Sequence, residues 1–406
     1  AGHVIECGPQ ATGGNYSFLD EITDRRYPGF PVAEVAADGS SVITKHPGTG
    51  GLVSPGTVTA QLLYEIAEPG YANPDVVARF DTITLGPDGP DRVRISGTRG
   101  SPPPATAKVA INFLGGYRNT MTLVLTGLDI EAKAAWAEQE LFGILGGREQ
   151  FADVDVRLLR FDRPDAPTNE QATAHLRITV KDHDPRKVGR RFSNATMELA
   201  LGGYAGFHTT TPPTPESAYG VYWPALVPAA DVAHAAVLPD GTTVPIAPTT
   251  PAPAAAPSGT AAADSAADSA AEDGPAEGPA APWPAGTPTV SAPLGRICAA
   301  RSGDKGGNAN IGIWTRDPAA YPWLRDYLTV GRLRALLPEC ADFGVRRFEL
   351  PNLHALNFVV TGLLGEGVAS STRPDPQAKG LGEYLRSRTA EIPAALLDGP
   401  ARPGAR

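Results

Sequence analysis

The densest group of reactive side chains lies in SGDKGGNANIG, where Asp304 and Lys305 stand between Gly303 and the Gly306–Gly307 pair, with Asn308 and Asn310 just beyond. A lysine among glycines can neutralise a phosphate or carboxylate while backbone N–H groups and amide side chains orient it. A desolvated Lys305 can also move a proton, with Asp304 tuning it. PNLHALNF adds Asn352, His354 and Asn357, which the proposed strand order returns to the same pocket; the bland alternative is buried amides satisfied by backbone. A second glycine loop, KHPGTGG, carries Lys45 and His46 at its start and then Gly48, Gly50 and Gly51, whose N–H groups are expected to be bare for an anion. It matches neither the Walker nor the Rossmann spacing.

Two further groups invite a metal. His3, Glu6 and Cys7 of HVIEC fit neither HExxH nor a zinc spacing, and Asp182, His183 and Asp184 follow a strand directly, as a solvated turn does. No metal site is expected, and Glu6 is kept as an acid or base. No GxSxG occurs, so an elbow-type hydrolase is disfavoured. Trp136, Trp223, Trp314 and Trp323 are expected to pack rather than to stack on bases, since no basic residues interleave with them.

The elements that must carry these residues follow from periodicity. SVITK is a strand, and TVTAQLLYEIA is a helix with Val58, Leu62 and Ile66 on one face, ended by Pro69–Gly70. PVAEVA pairs with SVITK across ADGS, FDTITL with RVRIS across GPDGPD, and KVAINFL with NTMTLVLTG around Gly115–Gly116. Asp129 caps a helix over IEAKAAWAEQELFGIL with Trp136, Leu141 and Leu145 inward. The strands VDVRLLRF and TAHLRITVKD and a helix around FSNATMELALGG complete a mixed β/α main domain over 1–246.

Residues 247–293 are almost wholly Ala, Pro, Gly, Ser, Thr and acid, with Trp283 the single large apolar residue, and are expected to form a disordered linker. Asp264, Asp268, Glu272, Asp273 and Glu277 lie there and supply more than half of the net charge of −9. A second unit over 294–397 places the strands GRICAAR and ANIGIWTR around the loop SGDKGGN. A largely helical stretch from Tyr321 to Leu337 comes next, then the strands VRRFEL and NFVVTGLL and a closing helix LGEYLRSRTAEI. Residues 398–406 are a tail. Strands in adjacent pairs followed by helices make the fold class α+β, the second unit being a small sandwich with helices on one face.

At 406 residues the chain is long enough for two or three domains. Its acidity and lack of a basic cluster exclude nucleic acid as a partner. Cys7, Cys298 and Cys340 are too scattered for a disulfide framework, which points to the cytoplasm. No apolar run reaches the roughly 18 residues of a membrane span. The chain has no initiator Met and opens on AGHVIECG in apparent mid-domain, as a fragment or processed product would.

The long motifs GHVIECGPQATGGN, YPGFPVAEVAADGSSVITKHPGTGGLVSPGTVTAQLLYEI, PDVV and DRVRISGTRGSPPP resemble the acyclic terpene utilisation protein A family (AtuA). ARSGDKGGNANIGIW and ELPNLHALNFVVTGLLGEGV are similar to the ferredoxin-fold domain associated with it. The resemblance covers nearly all of the chain outside the linker. It implies that an N-terminal half of alternating strands and helices precedes Ala1, and that the activity concerns citronellol and geraniol catabolism through branched acyl-CoA thioesters, as a hydroxyacyl-CoA lyase or hydratase. Acyl-CoA carboxylases and dehydrogenases are the implied partners, and an oligomer is left open. No cofactor is expected, CoA entering as part of the substrate. On this resemblance Gly13, Gly14 and Asn15 of GPQATGGN face Gly48, Gly50 and Gly51 to hold the two ends of a CoA-like ligand. Lys305 or Lys45 with the loop N–H groups would stabilise an enolate. Glu6, Asp304 and His46 are the acids or bases. The rivals are a non-catalytic docking subunit on a flexible tether, and a phosphohydrolase using the glycine loops.

Overall fold

The computed structural model describes residues 1–210, 212–251 and 286–397; most of the expected linker and the whole tail lie outside the described residues. The chain is α+β, and its packing forms two compact units that do not follow the sequence boundaries. The larger comprises Ala1–Ile111, Trp223–Val368 and the residues from Asp375 on; the smaller comprises Asn112–Tyr222 and Ala369–Pro374.

In the larger unit, Cys298–Lys305, Asn308–Thr315, Ala355–Val360 and Val345–Leu350 form an antiparallel sheet in that spatial order. Every residue of Asn308–Thr315 is buried, because both faces of the sheet are covered. On one face Cys298, Ala300, Ile311, Ile313, Leu356 and Phe358 pack with residues of the helices Tyr321–Tyr327, Val330–Leu336 and Leu381–Ser387. On the other, Ala299, Trp314, Leu350 and Ala355 share a core with Val58, Leu62, Leu63, Ile66 and Phe80 from the start of the chain. Each such aliphatic side chain, buried completely, contributes about 1.5–3 kcal/mol. The expected sandwich with one covered face is therefore corrected: the second face is closed by the chain's own N-terminal segment.

Two glycines make that closure possible. A Cβ on Gly312 would stand 2.5 Å from Leu63 Cβ, and one on Gly303 would stand 2.6 Å from Tyr64 Cε2. Glycine inside a strand here marks another backbone lying close on top. The turn of this hairpin is only Gly306–Gly307, so Asp304 and Lys305 are strand residues rather than loop residues. The closing helix ends at Ser387, and Thr389–Pro393 is a strand paired with Thr289–Pro293, which extends the ordered unit back across the expected boundary at Leu294.

The helix over Pro55–Leu62 opens two residues before the expected Thr57, with Ser54 accepting from Thr57 N, Thr57 Oγ1 accepting from Ser54 N, and Pro55 in the first turn. It ends five residues before the expected Ala67, for a reason given below. Pro31–Val35 pairs with Ser41–Lys45, and Thr84–Pro87 with Val93–Ser96, as their turn residues predict.

The smaller unit is a sheet in the order His208–Thr209, Thr106–Thr126, Thr173–Asp182, Asp153–Arg160, with Ser217–Pro228 also paired to the long strand, which enters this unit at Asn112. Met121, Leu123, Leu125, Leu176, Ile178 and Val180 form one apolar face under the helices Ile130–Leu145 and Arg190–Gly202. Gly115–Gly116 is not a turn. The strand runs straight through it, and a Cβ on Gly115 would meet Tyr219 at 2.5 Å, so the glycine admits a neighbouring strand. Asp129 precedes its helix in a left-handed conformation (φ 59°) and makes no capping bond, and Trp136 faces outward at 47 % exposure, whereas Leu141 and Leu145 are buried as expected.

Candidate active site

The last carbonyls of a helix have no intrahelical partners. Beyond the end of this helix at Leu62, two buried asparagines of the sheet take the carbonyls of Leu63, Ile66 and Ala67. Asn310 Nδ2 donates to Leu63 O (2.7 Å) and to Asn357 Oδ1 (2.9 Å), while Asn310 Oδ1 accepts from Glu65 N (2.8 Å). Asn357 Nδ2 donates to Ala67 O (2.6 Å) and Ile66 O (3.3 Å). These bonds pull the backbone out of helix, and Glu65 takes φ +56°, a conformation non-glycine residues rarely adopt without compensation. Asn310 and Asn357 were expected to bind ligand; they position Tyr64 and Glu65 instead.

The ammonium of Lys379 meets both residues. Its Nζ donates to Glu65 Oε1 (2.8 Å), to Asp304 Oδ1 (3.3 Å) and to the Tyr64 hydroxyl. Lys379 is itself placed by Asp375, whose carboxylate accepts from Lys379 N (2.8 Å) and Gly380 N (2.9 Å), and by Ser302 Oγ, which donates to Lys379 O. The Arg301 guanidinium lies 4.3 Å from the centre of the Tyr64 ring.

The two carboxyls are driven apart. Burial raises Glu65, but hydrogen bonds from Lys379 and Tyr64 outweigh it and leave its pKa below the usual carboxylate value. Burial, then the Glu65 charge, raises Asp304, and Lys379 offsets this only in part. Burial and Glu65 push the Tyr64 hydroxyl up to about 12, so it stays protonated. Lys379 is raised: burial lowers it, and its bonds to Glu65 and Tyr64 win. A carboxyl held low beside one held high is the direction of difference that divides base from acid.

The N-terminal helix Gly2–Glu6 flanks this group. His3 Nε2 bonds Gln61 O (2.9 Å), so that nitrogen carries the proton, and Gln61 Nε2 returns a bond to His3 O (3.0 Å). The imidazole packs against Tyr71 and Phe80 at 5.0 and 5.3 Å; its pKa is lowered by burial first, with the Lys305 charge acting the same way. Cys7 Sγ donates to Glu6 Oε2 (2.7 Å), and burial, then that carboxylate, pushes the thiol up to about 11, an unreactive thiol. Lys305 Nζ lies 5.3 Å from the Tyr71 ring centre. Asp304, Lys305 and Glu6 thus come to one neighbourhood.

Lys45 does not join them. Its Nζ donates to Thr49 O (2.7 Å) and pairs with Asp91 (3.3 Å), pinning the loop that follows it. The glycine loops face one another as expected, but closed. Gly51 N donates to Asp24 O, Gly14 N to Pro9 O, Gly13 N to Gln10 O and Leu52 N to Thr12 O, so these donors are engaged within the protein. A Cβ on Gly51 would stand 2.2 Å from Thr12 O, and one on Gly50 1.9 Å from Arg26 O, which explains the glycines by close packing. Gly48 and Asn15 are surface turn residues, and His46 is exposed. Asn308 Oδ1 accepts from Gly362 N, Asn352 Nδ2 holds Phe80 O and Ile83 O, and Gly307 passes against Gly365 O; all three are structural. His354, in a left-handed conformation, packs edge-on to Tyr321. Asp182 and Asp184 build a turn, accepting from Asp184 N and Arg186 N.

Sequence reasoning missed Tyr64, Glu65, Arg301 and Lys379. Tyr64 and Glu65 were counted as helix, and Lys379 stands in a Pro- and Asp-containing loop with no motif around it. The available signal was the tandem Tyr-Glu after an apolar helix, with a glycine in each of two neighbouring strands, Gly303 and Gly312.

Among the described residues no group of three His, Cys, Asp or Glu stands close enough to hold a metal ion, and no helix is long and apolar enough to cross a membrane. No curated protein and no solved structure matches this chain. Residues 292–391 match the AtuA ferredoxin-like domain, and residues 1–238 match the family described as acyclic terpene utilisation family protein AtuA. With more than half of its length matched, the chain belongs to the acyclic terpene utilisation family AtuA.

Proposed function

We propose that the protein is an acid–base enzyme of acyclic terpenoid breakdown that adds water to, or removes it from, a branched acyl-CoA thioester. The observation that carries this reading is the single ammonium of Lys379 held by Glu65 and Asp304 at once beside the Tyr64 hydroxyl. In the hydration direction Glu65 takes a proton from water as its oxygen bonds to the β-carbon, and Asp304 gives its proton to the α-carbon. Tyr64 and Lys379 donate to the charge that builds on the thioester oxygen. Lys379 then lies on the path by which the proton returns from Glu65 to Asp304. A hydroxyacyl-CoA lyase would use the same base on the β-hydroxyl. An acyl-CoA dehydrogenase is the partner that would introduce the double bond of such a thioester, and an acyl-CoA carboxylase the partner that would add a carboxyl group to it.

The tethered docking module loses its support, because the C-terminal sheet shares a core with the N-terminal segment rather than standing alone. The test is hydration of a branched enoyl-CoA, followed by loss of the ultraviolet absorbance of the conjugated thioester. Removal of a general base typically costs about 10²–10⁴-fold, and Glu65→Gln should fall in that range. Equal activity of the variant and the parent would overturn the assignment.

A further inference from the structure

The smaller unit carries an unusual register of charge on the sheet face opposite its helices. Arg118 stands directly across from Lys181, and Arg177 directly across from Arg157. Like charges facing each other across strands are destabilising. Between the two basic pairs lies Thr120 opposite Thr179, their hydroxyls bonded at 2.9 Å. Arg157 is offset by Asp155 (2.7 Å) and Lys181 by Asp153 (3.4 Å). Arg118 and Arg177 have no carboxylate partner among the described residues. Each donates one N–H to a backbone carbonyl of the same short strap, Arg118 to Ser371 O (3.2 Å) and Arg177 to Thr372 O (2.8 Å).

The strand spacing places the two basic pairs about 13 Å apart at their Cα atoms, yet both guanidinium groups reach neighbouring residues of one strap. Each guanidinium has five N–H donors, of which the strap takes one, and Arg118 and Lys181 also lie over the Tyr219 ring at 5.9 and 5.1 Å. Both arginines are half-buried, where solvent screens their charge less than on an open surface. Burial, then the Arg157 charge, lowers the pKa of Arg177; Asp155 acts against this and Arg118 adds to it.

We propose that this face is an anion site that grips a phosphoryl group between Arg118 and Arg177, with the Arg157 and Lys181 charges behind them. Phosphoryl oxygens fit the arginine fork and would supply the anion for Arg118 and Arg177 that Asp155 and Asp153 supply for Arg157 and Lys181. The phosphoryl group comes either as free phosphate or diphosphate, or as the phosphorylated end of a thioester carrier. Neither source depends on the acid–base reading of the other unit.

The test is isothermal titration of the whole chain with inorganic phosphate, inorganic diphosphate, CoA, dephospho-CoA and a pantetheine thioester that has no phosphate, all at matched ionic strength in sodium chloride. The site predicts binding of diphosphate or CoA and none of pantetheine at this face. Charge-assisted hydrogen bonds contribute about 1.5–3 kcal/mol, so Arg118→Gln and Arg177→Gln should each weaken that binding by at least about tenfold. Arg177→Lys should keep part of it. Binding of CoA without inorganic diphosphate would assign the carrier as source, and binding of both would assign the free anion. Circular dichroism and melting temperature establish that each variant is folded. Loss of stability in the Gln variants with unchanged affinity for the phosphates would show a strap clamp only and overturn the proposal, as would no binding of any phosphate by the parent chain. The diphosphate arm contains no thioester, so its failure is distinct from failure of the hydratase reading.

Discussion

Replacing Lys379 by Met keeps much of its volume and removes the one cation shared by Glu65, Asp304 and Tyr64. The two ion pairs, at 2.8 and 3.3 Å, have side chains between 23 % and 31 % exposed. Such a pair lies between the exposed limit of under about 1 kcal/mol and the buried limit of about 3–5 kcal/mol. A loss of about 2 kcal/mol at pH near 7 follows. Its pH dependence has a definite sign. Glu65 has a folded pKa below its unfolded value, so its contribution is present above the unfolded pKa and disappears as pH falls through the folded one. Asp304, raised by burial and by Glu65, acts the other way and gains stability on protonation. In Lys379→Met Glu65 loses its counter-ion and moves up, so the variant's deficit is full near pH 7 and shrinks to under about 1 kcal/mol near pH 4. Urea unfolding followed by fluorescence of Trp314 and Trp323, both buried in this unit, measures it. A deficit that is equal at both pH values, or larger in acid, would refute the shared-ammonium account.

Further predictions follow from the elements around the cluster. Asn310→Ala strands Leu63 O, Glu65 N and Asn357 Oδ1 in a buried place, and should cost about 2–4 kcal/mol in urea unfolding while lowering turnover through Glu65. Gly312→Ala puts a Cβ 2.5 Å from Leu63 Cβ and should lower stability by about 1–3 kcal/mol, read in the same way. Gly51→Ala, at φ +86° and against Thr12 O, should lower the melting temperature, because that glycine serves packing between loops. Tyr64→Phe keeps the ring under Arg301 and should change stability by under about 1 kcal/mol, but should reduce kcat more than KM.

Local pairing was legible from the sequence wherever turn residues punctuate alternating strands, as at Ala37–Ser40 between Pro31–Val35 and Ser41–Lys45. The Gly115–Gly116 pair shows the limit: glycines signal a turn and a close neighbouring backbone alike, and only Tyr219, distant in sequence, decides which. The helix end at Leu62 was not legible for the same reason. Its termination depends on Asn310 and Asn357, which lie far along the chain. SGDKGG was found because glycines concentrate attention on the charged residues between them. Its strand residue Asp304 does join the cluster, whereas Gly306–Gly307 only turns the chain. The KHPGTGG and GPQATGGN loops have the composition of an anion cradle, but their donors answer to Asp24, Pro9, Gln10 and Thr12, a pairing that composition cannot carry. Lys379 was invisible because a lone lysine in a loop acquires meaning only when two carboxylates from other elements converge on it.

The measurement that tests the central claim most directly is incorporation of deuterium at the α-carbon of a branched acyl-CoA incubated with the protein in heavy water, read by mass spectrometry. It requires only acid–base action next to the thioester and not the direction of the net reaction. The account predicts incorporation by the parent chain and loss of at least about a hundredfold of its rate in Asp304→Asn. No incorporation by the parent, or the same rate in Asp304→Asn and the parent, would contradict it.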